Sequence, residues 1–325
     1  MSVEVIKAGL ADTFQDQGRF GYQHLGINPN GAMDLTAMHV ANALAGNDFN
    51  EAVLELCFPA SVLHFKKPAL IALSGANFGA ELNGKQVPIN QSIAVATGSE
   101  LKFTKAEKGV FCYLAINGVF RLMPWLNSYS TNVKAKAGGL NGRSLQKGDV
   151  IEFRKSISAI QETKIFPWRA NVFDFYSDPS SIQFVRGPEF DWLDESSQEK
   201  LMEEPFLITS LRDRMGYRLK GNKLNWKAQE LVSTAVTFGT VQLLPDGQLI
   251  ILMADHQTTG GYPRIAQVIA ADRPKLVQTS VGDEIFFRDV SLQGAEDLLI
   301  MQRKILKQIQ VTCQVRLNDF FNSAR

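Results

Sequence analysis

Cysteine is scarce in this sequence, charge of neither sign is in surplus, and no apolar run is long. Cys57, Cys112 and Cys313 stand far apart, are odd in number and match no C-x-x-C spacing, which points to reduced thiols and away from the common metal and redox motifs. Cys57 and Cys112 lie in the apolar runs Val53 to Phe58 and Val110 to Ile116, where a cysteine reads as a small buried hydrophobe. Lysine plus arginine number 34 against 33 for aspartate plus glutamate, so there is no net field to recruit nucleic acid or an anionic membrane. No stretch approaches the ~20 apolar residues of a membrane span. The first residues, M-S-V-E-V-I-K, lack the basic and apolar regions of a signal peptide, and the expectation is a cytoplasmic protein.

Several chemical motifs are missing as well. There is no G-x-S-x-G elbow, no H-E-x-x-H, no spaced acid cluster for calcium and no A-M-K-M-like biotinylation segment, so neither a metal nor attached biotin is expected. Gly79 to Gln86, G-A-E-L-N-G-K-Q, approaches a phosphate loop, but Gln86 replaces the hydroxyl that would hold Mg²⁺. Asn83-Gly84 between two short apolar stretches reads as a type I′ hairpin instead.

What the chain does have is concentrated in residues 230–264. Thr240 to Leu244 and Leu249 to Met253 read as strands, and Pro245-Asp246-Gly247 supplies the fixed φ and the positive-φ position of a tight reversal. Directly after the second strand stand Asp255, His256, Gln257, Thr258, Thr259, Gly260, Gly261 and Tyr262, a dense donor and acceptor set on a backbone that two glycines leave open to a ligand. Gln257, Thr258 or the Gly260 and Gly261 amides suit a carbonyl oxygen, an arginine suits a carboxylate, and Asp255 can accept an N–H or act as a base.

Elsewhere the sequence divides into short strands with few helices. Asp34 stands at an N-cap position before Leu35 to Ala45, with Gly46 closing the helix. Arg19 sits in the glycine-bounded loop Asp16 to Gly21, where a cation grips a carboxylate or pairs with a nearby acid. His39 falls away from the apolar face of the helix and reads as a surface residue. Short apolar runs from Ala52 to Ile116 indicate an antiparallel barrel or sandwich. Ser74-Gly75-Ala76-Asn77 offers the Asn77 amide to a ligand, and a strand-ending turn would use the same residues. G-D-x-I-x-F occurs at 148–153 and 282–287, with a looser echo at 98–103, which suggests two similar barrels; convergent turn chemistry gives the same six residues. The domain boundary is placed between residues 155 and 156. In the second half a helix is read near Asp194 to Glu203, and Arg212 to Arg218 combines three arginines, an acid and a glycine. That loop serves either a site or surface ion pairs. An amphipathic helix is expected over Ala295 to Gln310.

The motif D-H-Q-T-T-G-G-Y-P-R-I-A after an apolar strand resembles the family of C-type 5-oxoprolinase subunits, also called allophanate hydrolase subunit 2 or biotin-dependent carboxyltransferase-like. D-Q-G-R-F-G-Y (16–22), G-A-M-D (31–34), L-S-G-A-N (73–77), G-G-L-N-G-R-S-L-Q-K-G-D (138–149) and D-R-M-G-Y-R-L-K-G (213–221) extend the likeness over nearly the whole chain. The resemblance implies a mainly β fold with a few helices, in two tandem cyclophilin-like β-barrel domains, 1–155 and 156–325. It implies one component of a multi-subunit, ATP-hydrolysing 5-oxoprolinase that opens the lactam to glutamate beside A-type and B-type 5-oxoprolinase partners. No cofactor is then bound covalently, and ATP is used by the assembled complex with a partner. The related alternatives are a carboxyltransferase module for urea, with biotin on another chain, and a non-catalytic regulator of a B-type protein. The site expected on this basis has Asp255, Gln257 and Thr258 as catalytic groups. Tyr262, Gly260, Gly261, Arg214, Arg19, Asp34 and Asn77 are expected to bind the small amide substrate. His256 stands where the family usually has arginine, and Tyr129 where S-R-S-T would place one.

Overall fold

The structure, a computed structural model, describes residues 2–154, 160–227 and 229–323, the side chain of Ser323 left aside. It is mainly β with four α-helices among the described residues. Two compact units form, one from Met1–Arg19, Asp34–Val172 and Lys304–Arg325, the other from Phe20–Met33 and Phe173–Arg303. The boundary expected between residues 155 and 156 lies outside the described residues, and the units divide after Val172. The reason is local pairing: the strand Lys164–Arg169 joins Gln91–Val95 in the first unit, with Lys164 opposite Ala94.

The first unit holds two six-stranded sheets. One is centred on Ala69–Asn77 and Lys108–Ile116, which pair antiparallel with Leu73 opposite Leu114. These strands are apolar and buried on both faces, because α1 (Leu35–Ala45) covers one side and the other faces the unit's largest apolar cluster. Asp34 caps α1 by accepting from the Ala37 N–H at 2.9 Å, and Gly46 ends it in the left-handed conformation, as the sequence predicts. His39 is half-buried against Phe49, with ring centroids 5.0 Å apart, so the expected surface position is only partly realised. Ser74 to Asn77, read as turn or ligand contact, continues the strand instead, with Gly75 at φ +87° where the pairing register shifts. Asn83 and Gly84 both take positive φ between Ala80–Leu82 and Lys85–Gln86. That stretch is the expected hairpin.

The second unit contains a closed seven-stranded barrel. The hairpin Thr240–Leu243 and Leu249–Leu252 forms in the register Leu243 opposite Leu249, with Gly247 at φ +80°. A parallel pairing between Ser181–Arg186 and Glu284–Asp289, Ser181 opposite Phe286, closes the ring. Phe184, Phe206 and Phe287 fill the interior, with edge-on contacts at 5.8 and 5.6 Å. The glycines of the related G-D-x-I-x-F segments, Gly148 and Gly282, both turn at positive φ into strands, as Gly98 does.

Two further helices, α2 (Glu195–Glu203, capped by Asp194) and α3 (Arg273–Val277), lie in the second unit. The last helix, α4 (Leu292–Ser323), is longer than the expected 295–310. Cys313 and Leu317, four positions apart, keep an apolar stripe running past Gln310, and Leu317 joins Leu70 and Phe166 in a small core. Burial pushes the Cys112 and Cys313 thiols up, the latter to about 11. That fits inert thiols. No helix among the described residues is long and apolar enough to cross a membrane.

Candidate functional site

The strand Leu249–Leu252 runs directly into the polar loop, and its neighbour loop at 213–215 travels beside it. Met253 N–H donates to the Met215 carbonyl at 2.9 Å and Asp255 N–H to the Arg214 carbonyl at 2.7 Å. This antiparallel continuation of the ladder brings the Asp255 and Arg214 side chains together. Arg214 Nε reaches Asp255 Oδ2 at 2.9 Å and Nη2 reaches Oδ1 at 2.8 Å, the bidentate geometry a guanidinium fork favours. Asn30 Nδ2 donates to the same Oδ1 at 2.7 Å, Asn28 Nδ2 donates to the Asp255 carbonyl at 2.8 Å, and Arg214 Nη2 reaches the Gly31 carbonyl at 2.6 Å. Three N–H donors therefore occupy the two carboxylate oxygens. Through these bonds Asp255, expected among the catalytic groups, ties segment 28–31 to the polar loop.

Beyond it the donors are open. Gln257 and Thr258 are half-buried, and their side chains have no hydrogen bond among the described residues. The short strands Thr234–Ala235 and Thr259–Gly260 pair across the loop. A Cβ at Gly260 would stand 2.6 Å from Gln242 Nε2 and 3.4 Å from Gln257 Nε2, so two side-chain amides converge where only glycine fits. Tyr262 is 45% exposed, and its carbonyl faces Gln242 Nε2 at 3.4 Å. Gly261 is open to solvent. The loop is fixed from its far side by Arg264, whose Nε and Nη2 hold Glu189 at 3.0 and 2.7 Å. Burial acts to raise the Glu189 carboxyl, but the hydrogen bonds and charge of Arg264 outweigh it and hold the group below the usual range. An open pocket of about 180 Å³ lies beside this pair, bounded by Thr237, Thr240 and Gln267.

His256, between Asp255 and Gln257, is buried and turns inward, with Nδ1 2.5 Å from the Gln257 carbonyl. A carbonyl only accepts, so Nδ1 carries the proton and Nε2 is the basic nitrogen. Burial is the main cause that lowers its proton affinity; the Gln257 carbonyl opposes this, Arg273 reinforces it and Asp255 opposes it. The folded value lies below the ordinary 6.5, so the unfolded chain binds the proton first as pH falls. The stability tied to neutral His256 is full above 6.5 and is lost as pH falls through the folded value. Urea midpoints at about pH 7.5 and about pH 5.5 are expected to separate more in the wild type than in His256→Gln. Equal separations would contradict a buried neutral imidazole.

The other expected contacts have local duties in the first unit. Arg19 is 1% exposed; it donates to the Ser130 carbonyl and lies over the Trp125 ring at 4.6 Å. Asp34 is fully buried as the α1 cap, and its own N–H donates to the Tyr113 hydroxyl at 2.7 Å. Asn77 bonds Glu107 at 2.5 Å and accepts from the Gly79 N–H at 3.1 Å. Buried or turn-forming, these three are held by partners within the first unit. Tyr129, in place of the family arginine, lies under Arg154 at 5.0 Å, and its N–H donates to Asp16. Of the three arginines at 212–218, only Arg214 joins the loop. Arg212 donates to the Thr279 carbonyl and Arg218 pairs with Asp246 at the surface. Asn28, Asn30 and Gln242 escaped the sequence reading. Asn30 takes φ +54° in the Asn-Pro-Asn-Gly run, and nothing local in the sequence names Asp255 as its partner. Among the described residues no cluster suited to a metal ion occurs.

The pattern of the carboxyltransferase domain, subdomain A and B, matches residues 25–289. The sequence is 35% identical over 311 residues to the C-type 5-oxoprolinase subunit of Escherichia coli (strain K12), covering 94% of this chain and 97% of that protein. It is 36% identical over 309 residues to the C-type 5-oxoprolinase subunit of Haemophilus influenzae (strain ATCC 51907 / DSM 11121 / KW20 / Rd), covering 95% and 97%. Among solved structures, the Kluyveromyces lactis urea carboxylase superposes with a TM-score of 0.87 at 27% identity, over 95% of this chain but only 29% of that one. With a family pattern over most of its length and near end-to-end relatives, the chain belongs to the carboxyltransferase domain, subdomain A and B, family.

Proposed function

We propose that this chain is the C-type subunit of a multi-subunit, ATP-dependent 5-oxoprolinase. The observation that carries the reading is the extent of the match. The C-type proteins align over 97% of their own length, whereas the urea carboxylase aligns over 29% of its chain. On this reading turnover takes place with partner chains of the A and B types. The unpaired Gln257 amide, the Thr258 hydroxyl and the backbone around Gly260 and Gly261 suit a lactam carbonyl, with Tyr262 at the rim and Asp255 and Arg214 fixing the loop. Nucleotide is assigned to a partner, since the Gly79 to Gln86 stretch is a hairpin and no phosphate loop. Glutamate release from 5-oxoproline and ATP tests this, comparing the chain alone, the two partners without it, and all three together. Turnover only in the full mixture is expected. A stable, folded three-part complex that releases no glutamate would refute the proposal. Carboxyl transfer to a small amide is the second reading, supported by the fold shared with urea carboxylase, and it predicts dependence on bicarbonate and a biotinylated partner.

A further inference from the structure

Arg273 opens α3, where no sequence motif singled it out. Its guanidinium lies over the Phe238 ring at 5.0 Å, and its Nε is cut off from solvent without a hydrogen-bond partner. Among the described residues no ion pair or hydrogen bond engages this side chain. The carboxylates that could neutralise it are taken. Asp272, next in sequence, accepts from the Gln183 N–H at 2.8 Å and holds Lys275 at 2.9 Å. Asp255 is filled by Arg214 and Asn30. The residue as a whole is half-buried, and burial of the guanidinium's inner edge lowers it to about 10, so it stays charged at neutral pH with one inner N–H unpaired.

The position of this cation matters. Arg273 Nε is 3.4 Å from where a Cβ on Gly239 would stand, and the Gly239 N–H donates to the carbonyl of Leu252, the last residue of the strand that feeds the polar loop. Its charge is felt at His256, between Asp255 and Gln257. The cation thus lies beside the end of the strand that feeds the donor loop.

We propose that Arg273 is the carboxylate seat of the site, holding the carboxylate of an anionic lactam while the loop donors meet its ring amide. This deepens the 5-oxoprolinase reading and rests on it. The seat gives a reason to prefer 5-oxoproline over urea, which has an amide carbonyl but no carboxylate. An ion-paired guanidinium is worth about 10- to 100-fold in binding.

Kinetics in the reconstituted complex and titration of the chain by itself test the seat separately. In the complex, Arg273→Gln is expected to raise KM for 5-oxoproline about 10- to 100-fold with kcat changed far less, and Arg273→Lys to fall between. Unchanged KM in Arg273→Gln overturns the seat and leaves the proposed function standing. If the wild-type complex releases no glutamate, that function falls, and histidine-selective NMR of the full chain decides the seat. The groups facing His256 are Arg273, Asp255 and the Gln257 carbonyl. Arg273→Gln is expected to raise the His256 midpoint by removing a cation. Saturating 5-oxoproline should raise it in the wild type and in Arg273→Lys but not in Arg273→Gln, and 2-pyrrolidone, the same ring without the carboxylate, in none. No response in the wild type, or an equal response in Arg273→Gln, overturns the seat.

Discussion

Asp255→Ala is expected to destabilise the second unit by about 2 to 4 kcal/mol and to lower turnover of the assembled enzyme by more than about 100-fold. The carboxylate is about one-fifth exposed, with side-chain exposures of 20% and 18% for Arg214 and Asp255, so the figure is set below that of a fully buried pair. Removing it leaves the Arg214 fork without its acceptor and frees Asn30. Segment 28–31 and the start of the 255–262 loop then lose their shared anchor. Displacement of a positioned donor by about 1 Å is enough for the catalytic effect. A double-mutant cycle with Arg214→Ala separates the pair from its surroundings, and a coupling near 2 kcal/mol is expected. Full turnover in Asp255→Ala would remove the 255–262 loop from the site.

The second large effect belongs to Asp16, which is 4% exposed. Its carboxylate accepts from the Gly18 N–H at 2.8 Å, the Ser128 hydroxyl at 2.7 Å, the Ser130 hydroxyl at 2.5 Å and the Tyr129 N–H at 2.6 Å. The Asp16 N–H in turn donates to Ser130 Oγ at 2.9 Å. One side chain thus fixes the loop that carries Arg19 and the segment 128–131, to whose Ser130 carbonyl Arg19 donates. In Asp16→Ala four donors lose a charged acceptor at once, and about 3 to 5 kcal/mol remains after local relaxation. Thermal unfolding should fall by on the order of 10 °C. Asp16→Asn keeps an acceptor and should lose less. A melting point for Asp16→Ala within about 1 °C of wild type would contradict the hub.

These two residues also mark what the sequence could and could not reveal. The α1 helix and the 240–252 hairpin were legible because their determinants are neighbours: Asp34 three residues from the N–H it caps, Gly247 inside its own turn. The polar loop was legible for the same reason, as an unusual run of donors and acceptors that includes two adjacent glycines. Roles were harder to read. Arg19, Asp34 and Asn77 have the same chemistry whether they bind a ligand or a carbonyl, and only the tertiary partner decides. Asp16 meets Ser130 across 114 positions and Asp255 meets Asn30 across 225, distances over which no local pattern acts. Arg273 was missed for a related reason, since its meaning lies in the absence of a partner.

The parallel pairing of Ser181–Arg186 with Glu284–Asp289 sets an order for the birth of the protein. The first of these strands leaves the ribosome well before the second, and at roughly 5 to 20 residues per second the interval is several seconds. Until Glu284 emerges, the ring has two unpaired strand edges, which invite pairing with other chains. Residues 20–33 also wait, for the somewhat earlier emergence of Asp255, the partner of Asn28 and Asn30. The nascent chain therefore carries an early segment whose lodging is made late, and slowing translation between 186 and 284 should increase chaperone dependence and aggregation more than slowing it after 289.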